Sequence, residues 1–241
     1  MLEIHGSMFG TAGVFNPTLV WDEKDAILID TGLPGKVDLI KAAVEKAGVP
    51  FERINKIIIT HHDMDHIGGL SAIVGKALGK IEVLSHGDEK QYIQGELKPI
   101  KMTTERKAQI NAMLSKLPEE KRKEYKLLFI DIAAKVDTIL EDEYELPLCG
   151  GIIAIHTKGH TLGHISLYLK KYKVLVAGDA MNVINGKLVG PNPQFTYNMD
   201  EAQKSLKKLL KYDIETVICY HGGNYSDNVN QRIAELAATN S

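Results

Sequence analysis

The sequence predicts a layered α/β fold in which two packed sheets carry helices on their outer sides. Three observations point there. Between residues 18 and 86, short apolar runs of strand length alternate with runs of helical period. After residue 150 strands return and helical runs again follow them, so the two halves are loosely alike without being a tandem repeat. No linker rich in Pro, Gly and Ser separates them, so the 241 residues are expected to form one domain, and 44% apolar residues suffice for a substantial core.

Taken in order, Leu19-Val20-Trp21 and Ala26-Ile27-Leu28-Ile29 are strands joined by the charged turn Asp22-Glu23-Lys24-Asp25, a hairpin closed by Asp30-Thr31-Gly32. Val37 to Lys46 has helical spacing, and Gly48-Val49-Pro50 supplies its stop signal. Strand 57–59 delivers Thr60-His61-His62-Asp63-Met64-Asp65-His66, and after Gly68-Gly69 come a helix from Leu70 and a strand at 81–84. From about residue 87 to 136 the character changes to a helical insertion: a helix opens at Met102-Thr103-Thr104 and runs through Leu117, Pro118 interrupts, and a charged run leads into Leu127-Leu128-Phe129-Ile130. Met102, Met113, Leu114, Leu117, Leu127 and Phe129 are expected either to pack on the sheet or to cap a substrate pocket.

The second half reads as strands at 151–155, 164–169 and 174–177, with Lys170-Lys171-Tyr172-Lys173 turning between the last two. Asp200, with Gln203 three residues on, has capping-box spacing for a helix whose apolar face is Leu206, Leu209 and Leu210. Strand Thr216-Val217-Ile218-Cys219 leads to His221-Gly222-Gly223, and a last helix covers about 227–238.

Composition narrows the function. A net charge of −2 and a pI near 6.5 give no general attraction to phosphate polymers, which disfavours nucleic acid as a partner. The start, Met1-Leu2-Glu3-Ile4-His5-Gly6, lacks a basic segment followed by an apolar run, and no run of about 18 apolar residues occurs, so a soluble cytoplasmic protein without a membrane partner is expected. Cys149 and Cys219 stand alone without CxxC spacing, which argues against a disulfide framework or a cysteine zinc finger and for two small buried side chains.

Chemistry concentrates in the histidines. Residues 61–66 hold five potential metal ligands directly after an apolar strand, a crowding costly to desolvate unless a cation neutralises the acids and accepts the ring nitrogens. Seven of the nine histidines, His61, His62, His66, His156, His160, His164 and His221, fall in three clusters at the ends of apolar runs, and Gly178-Asp179 places a carboxylate at another strand end. Four loops therefore offer ligands to one face. His5 and His86 are read as lying outside this set.

These residues, His61-x-Asp63-x-Asp65-His66, Gly159-His160-Thr161-x-Gly163-His164, Gly178-Asp179 and His221-Gly222, resemble the metallo-β-lactamase superfamily in order and spacing, and Asp30-Thr31-Gly32 matches its early Asp-x-Gly turn. The resemblance implies a four-layer αβ/βα sandwich of two mixed sheets and two divalent metal ions per chain, Zn, Mn or Fe. It implies one ion held by His61, Asp63 and His160, another by Asp65, His66 and His221, and Asp179 bridging. The family's usual pattern is His-x-His-x-Asp-His, and this chain has Asp63 at the second histidine. His62 is not its substitute, because neighbouring side chains of an extended loop point to opposite sides. With three carboxylates and a bridging hydroxide the core becomes neutral, where the usual pattern leaves one positive charge, so weaker Lewis acidity and a preference for manganese or iron(II) are expected.

The expected activity is hydrolysis of an ester-like bond in a small-molecule substrate, a lactone, thioester or small ester, by a metal-bridging hydroxide, with Asp65 relaying a proton beside the bridging Asp179. Tyr197 and Tyr225 lie close in sequence to the last motifs and are candidate donors to a substrate oxygen. His62, His156 and His164 either orient ligands from behind or are packed rings. The alternatives are a phosphodiesterase or nuclease of the same fold, an iron-dependent redox or persulfide enzyme, and a metal-stabilised binding module. Monomer and homodimer are equally open.

Overall fold

The computed structural model of the chain describes residues 1–8, 11–120, 122 and 132–239. A hairpin of β1 (Ile4–Met8) and β2 (Thr11–Phe15) opens the fold. The first large sheet follows, with β3 (Thr18–Trp21), β4 (Ala26–Ile29), β5 (Lys56–Ile58), β6 (Glu82–Ser85) and β7 (Thr138–Ile139) side by side in chain order. Only β3 runs antiparallel to its neighbour. The helices α1 (Val37–Lys46), α2 (Met64–Ile67) and α3 (Leu70–Lys76) lie in the connections, and α4 (Gly87–Ile93) and α5 (Thr104–Leu114) lie between β6 and β7.

The second sheet is built from β8 (Glu145–Leu146), β9 (Ile152–His156), β10 (Ile165–Leu169), β11 (Val174–Gly178), β14 (Thr216–Cys219) and β15 (Gly223–Tyr225). Its order is β15-β14-β11-β10-β9-β8, with β11 and β14 parallel and the rest antiparallel. A small hairpin, β12 (Asn182–Ile184) and β13 (Lys187–Val189), follows β11, and the chain closes with α6 (Met199–Leu206) and α7 (Val229–Ala238).

Alternation along single strands explains the layering. In β4, Ile27 and Ile29 face the second sheet and join Ile58, Leu84, Ala154, Leu167 and Val176 in the apolar layer between the sheets. Ala26 and Leu28 point the other way, into a layer with Ile40 and Val44 of α1 and Leu70 and Ile73 of α3. The second sheet repeats the device: Leu175, Val217 and Cys219 face outward onto Leu206 of α6 and Val229 and Ile233 of α7. Three apolar layers thus separate four structural ones, helix, sheet, sheet and helix. No helix among the described residues is long and apolar enough to cross a membrane.

Several boundaries differ from the sequence reading. The helix expected from Met102 through Leu117 spans only Thr104–Leu114, and α4, unread in the sequence, precedes it. Met102 is 40% exposed whereas Leu114 is buried, so the insertion's apolar residues divide between surface and interior. Leu127 and Phe129 lie outside the described residues. The helix assigned to begin at Asp200 begins at Met199 and is capped by Asn198, whose Oδ1 accepts from the Glu201 N–H, because the side chain of Asn198 lies one turn before that amide.

Candidate metal centre

Every strand end that borders the centre brings a polar side chain out of an apolar run. At the end of β4 comes Asp30, buried and in the left-handed backbone region (φ 60°). It accepts from the Thr60 N–H (2.9 Å), from the Thr60 hydroxyl and from His66 Nδ1 (2.8 Å). Held by three partners, this strained residue fixes the start of the loop after β5 and turns the other nitrogen of His66 inward. That loop carries His61 and Asp63, and α2 begins at once, so Asp65 and His66 sit on its first turn. The Tyr220 ring lies on His66 at a centroid distance of 3.7 Å, and its hydroxyl donates to the Asp65 carbonyl.

The second sheet answers from the opposite side. His160 sits in the loop between β9 and β10, Asp179 follows β11 and His221 follows β14. Two glycines make the close approaches that this requires: a Cβ on Gly159 (φ 131°) would lie 2.2 Å from the Ala202 nitrogen, and one on Gly222 (φ 95°) 1.9 Å from the Val183 carbonyl oxygen. His164 Nε2 accepts from the Asp179 N–H (2.9 Å), and burial followed by the repulsion of His160 pushes its pKa down to about 3, so the ring stays neutral and able to accept. The role of His164 is to hold the Asp179 backbone.

Two groups of side chains result. His61, Asp63, His160 and Asp179 have donor atoms within 4.8 Å of one another, and so do Asp65, His66 and His221. Asp179 reaches both: its Oδ2 is 3.3 Å from His160 Nε2 and 3.5 Å from His221 Nε2, and its Oδ1 is 3.4 Å from His66 Nε2. Three of the atoms, His61 Nε2, His66 Nε2 and Asp179 Oδ1, are buried without a hydrogen-bond partner. Buried polar atoms are nearly always paired, and orphaned ring nitrogens beside an orphaned carboxylate oxygen are the arrangement a divalent cation satisfies. The donor set therefore fits metal.

The electrostatics agree with that chemistry. Burial alone would raise the pKa of Asp179, but His221, His66 and His160 hold it well below the usual carboxylate range. Burial would likewise lower His221, yet Asp179 and Asp65 outweigh it and push the ring up to about 10. His66 is raised well above its usual value against its burial by Asp30, Asp179 and Asp65, whereas His61 is lowered by burial and by His66. A cation entering the second group would therefore have to displace protons from His66 and His221, whereas burial and His66 disfavour the charged form of His61.

The remaining histidines stand apart from both groups. His62 points away, its Nδ1 donating to Glu89 Oε2, and its ring stacks on Tyr92 at 4.4 Å. His86 caps α4 and stacks on His156 at 3.9 Å and 23°. With Asp88 this pair forms a third close group, but nearly parallel rings direct their in-plane lone pairs side by side, and His86 Nδ1 already accepts from the Asp88 N–H. The Tyr197 N–H donates to the His160 carbonyl, and Tyr225 lies on β15 opposite Val217. Sequence reading missed Glu89, Lys101 and Tyr220. Glu89 is fully buried and accepts from His62, from the Thr161 hydroxyl (2.6 Å) and from the Gly163 N–H (2.8 Å). Nothing in the spacing of the insertion marks it.

Comparisons with known proteins place this geometry among relatives. The profile of the metallo-beta-lactamase superfamily matches residues 10–221. A probable metallo-hydrolase of Bacillus subtilis, YflN, is 30% identical over 91% of this chain and 83% of its own length. A hydroxyacylglutathione hydrolase of Pseudomonas paraeruginosa is 26% identical over 86% of this chain, which spans 62% of that protein. Among solved structures, a metallo-beta-lactamase family protein of Thermus thermophilus superimposes with a TM-score of 0.66 at 25% identity, covering 93% of this chain and 74% of the other.

Proposed function

The chain belongs to the metallo-beta-lactamase superfamily, and from that premise we propose that it is a metal-dependent hydrolase of ester-like bonds, thioesters foremost, with lactones and small esters as the neighbouring class. One observation carries the reading: a single carboxylate, Asp179, lies within 3.3 to 3.5 Å of histidines in both groups, as a residue shared by two ions must. His61, Asp63 and His160 would hold a first ion and Asp65, His66 and His221 a second. When bound, two such cations supply Lewis acidity and lower the pKa of a water molecule towards neutrality.

The chain's own residues do the rest. Asp30 and Tyr220 orient His66, and His164 fixes the Asp179 backbone. Asp65, whose side chain is only 9% exposed and lies 3.3 Å from His221 Nε2, is the carboxylate to which this reading assigns the relay of a proton to the leaving group. Met102, Leu162, Phe195 and Tyr197 are all about 40 to 52% exposed, and each follows or contacts a segment bearing Lys101 or His160. They favour an apolar acyl group over a polyanion. The thioester preference is supported by the relatives named hydroxyacylglutathione hydrolase, whose name describes an acyl group on a thiol.

The test reconstitutes the metal-stripped protein separately with zinc, manganese and iron and assays thioesters, lactones, phosphodiesters and β-lactams. Turnover is expected on thioesters and other esters, and a chelator should remove it. Cleavage of phosphodiesters alone, or no turnover on any panel member with any ion, overturns the reading.

Asp63 adds an expectation of its own. Replacing it by the neutral ligand of the common motif removes one negative charge from the first group, so Asp63→His should raise zinc occupancy relative to manganese by about tenfold in competition dialysis. An unchanged ratio would refute the charge argument.

A further inference from the structure

Lys101 lies in the insertion, between α4 and α5, and reaches into the first ligand group. Its Nζ pairs with Asp63 Oδ2, donates to His160 Nε2 at 2.8 Å and donates to the Phe195 carbonyl at 3.1 Å. The first two acceptors are the atoms that a cation in this group needs. Metal–ligand distances for nitrogen and carboxylate oxygen are about 2.0–2.2 Å, so an ion bound to both would occupy the space of the ammonium. A lone pair of His160 Nε2 that accepts from Lys101 is likewise unavailable for coordination.

The placement of this side chain is built into the surrounding loops. The Ile100 N–H, one residue before Lys101, donates to His62 Nε2 at 3.4 Å. His62 Nδ1 in turn donates to Glu89, which also gathers Thr161 and Gly163 from the loop of His160. The tautomer is consistent throughout: hydrogen on Nδ1 towards the carboxylate, a lone pair on Nε2 towards the amide. A buried carboxylate therefore binds together the loop of His61 and Asp63, the loop of His160 and the backbone that aims Lys101 between them. The second group has no counterpart: among the described residues the charged partners of Asp65, His66 and His221 are one another, Asp30 and Asp179, and none is a lysine or arginine.

We propose that the Lys101 ammonium competes with the ion of the first ligand group, so that the second group loads first and Lys101 determines the ion concentration at which the first one fills. The inference rests on the two-ion reading of the centre. The competitor is tethered, so its local concentration is fixed by the chain and does not vary with conditions. Asp63 completes the device, because a carboxylate at this position pairs with an ammonium where an imidazole would only accept a hydrogen bond from it.

Calorimetric titration of metal-stripped protein with manganese or zinc reads this directly. The unaltered protein should bind in two steps of different affinity. Lys101→Met should tighten the weaker step at least tenfold, leave the tighter step within twofold and leave the far-ultraviolet circular dichroism unchanged, and Lys101→Arg should keep the two steps apart. A weaker step unmoved or loosened in Lys101→Met, with both steps present, overturns the competition while the two-ion reading stands. A single step of one ion per chain in both the unaltered protein and Lys101→Met overturns that reading and the inference with it.

Discussion

Asp179→Ala is expected to reduce turnover at least about a thousandfold, equivalent to roughly 4 kcal/mol of lost transition-state stabilisation, and to lower the metal content from about two ions per chain to about one. The reason is geometric. Among the described residues Asp179 is the one side chain within 3.5 Å of histidines in both groups, so on the two-ion reading its removal would cost each ion a donor at once. The fold should tolerate the change: the carboxylate faces its neighbours across the centre and none of the apolar layers, and the backbone stays pinned by His164. Far-ultraviolet circular dichroism and elemental analysis check both halves of the expectation. Retained activity, or retention of both ions, removes the shared role of Asp179.

Asp30→Ala should act on stability and ion affinity together. The substitution leaves the Thr60 N–H, the Thr60 hydroxyl and His66 Nδ1 buried without their acceptor. Stranded donors cost about 1–3 kcal/mol each, so a loss of roughly 3 kcal/mol or more and a fall in Tm on the order of 10 °C are expected. Freed from Asp30, the His66 ring loses its orientation, and a lost partner behind a coordinating histidine typically weakens metal binding by about 10–100-fold. Asp30→Asn separates the two effects. It keeps an acceptor for Thr60 but turns a donor or a neutral oxygen towards His66, so Tm should recover largely while the affinity does not. Parallel recovery of both would show that Asp30 is a purely structural residue.

The fold was legible where apolar runs are unbroken or recur at helical spacing. The run Ala26-Ile27-Leu28-Ile29 has apolar residues on both faces, as a strand buried between two layers requires, and Val37–Lys46 begins and ends where its spacing and the glycine after it indicate. Strands of only three residues escaped: β12 and β13 were passed over although Asn185-Gly186, both at positive φ, is a strong two-residue hairpin signal. The grouping of the histidines was legible because their spacing is local to each motif, and His62 turned away from the centre as the alternation of an extended loop requires. Glu89 and Lys101 were not legible. They reach the centre from a segment whose course is set by tertiary contacts, a buried carboxylate on one side and an ammonium on the other, and neither leaves a period in the sequence.

Strand order has a consequence for biosynthesis. The five-stranded sheet uses only residues before 140 and the six-stranded sheet only residues after 144. As the polypeptide leaves the ribosome, the strands of the first sheet emerge before His160, Asp179 and His221 do. Each ligand group joins residues that follow the first sheet's strands to residues that follow the second sheet's, so the first group is incomplete until the chain has been made as far as Asp179 and the second until it has been made as far as His221.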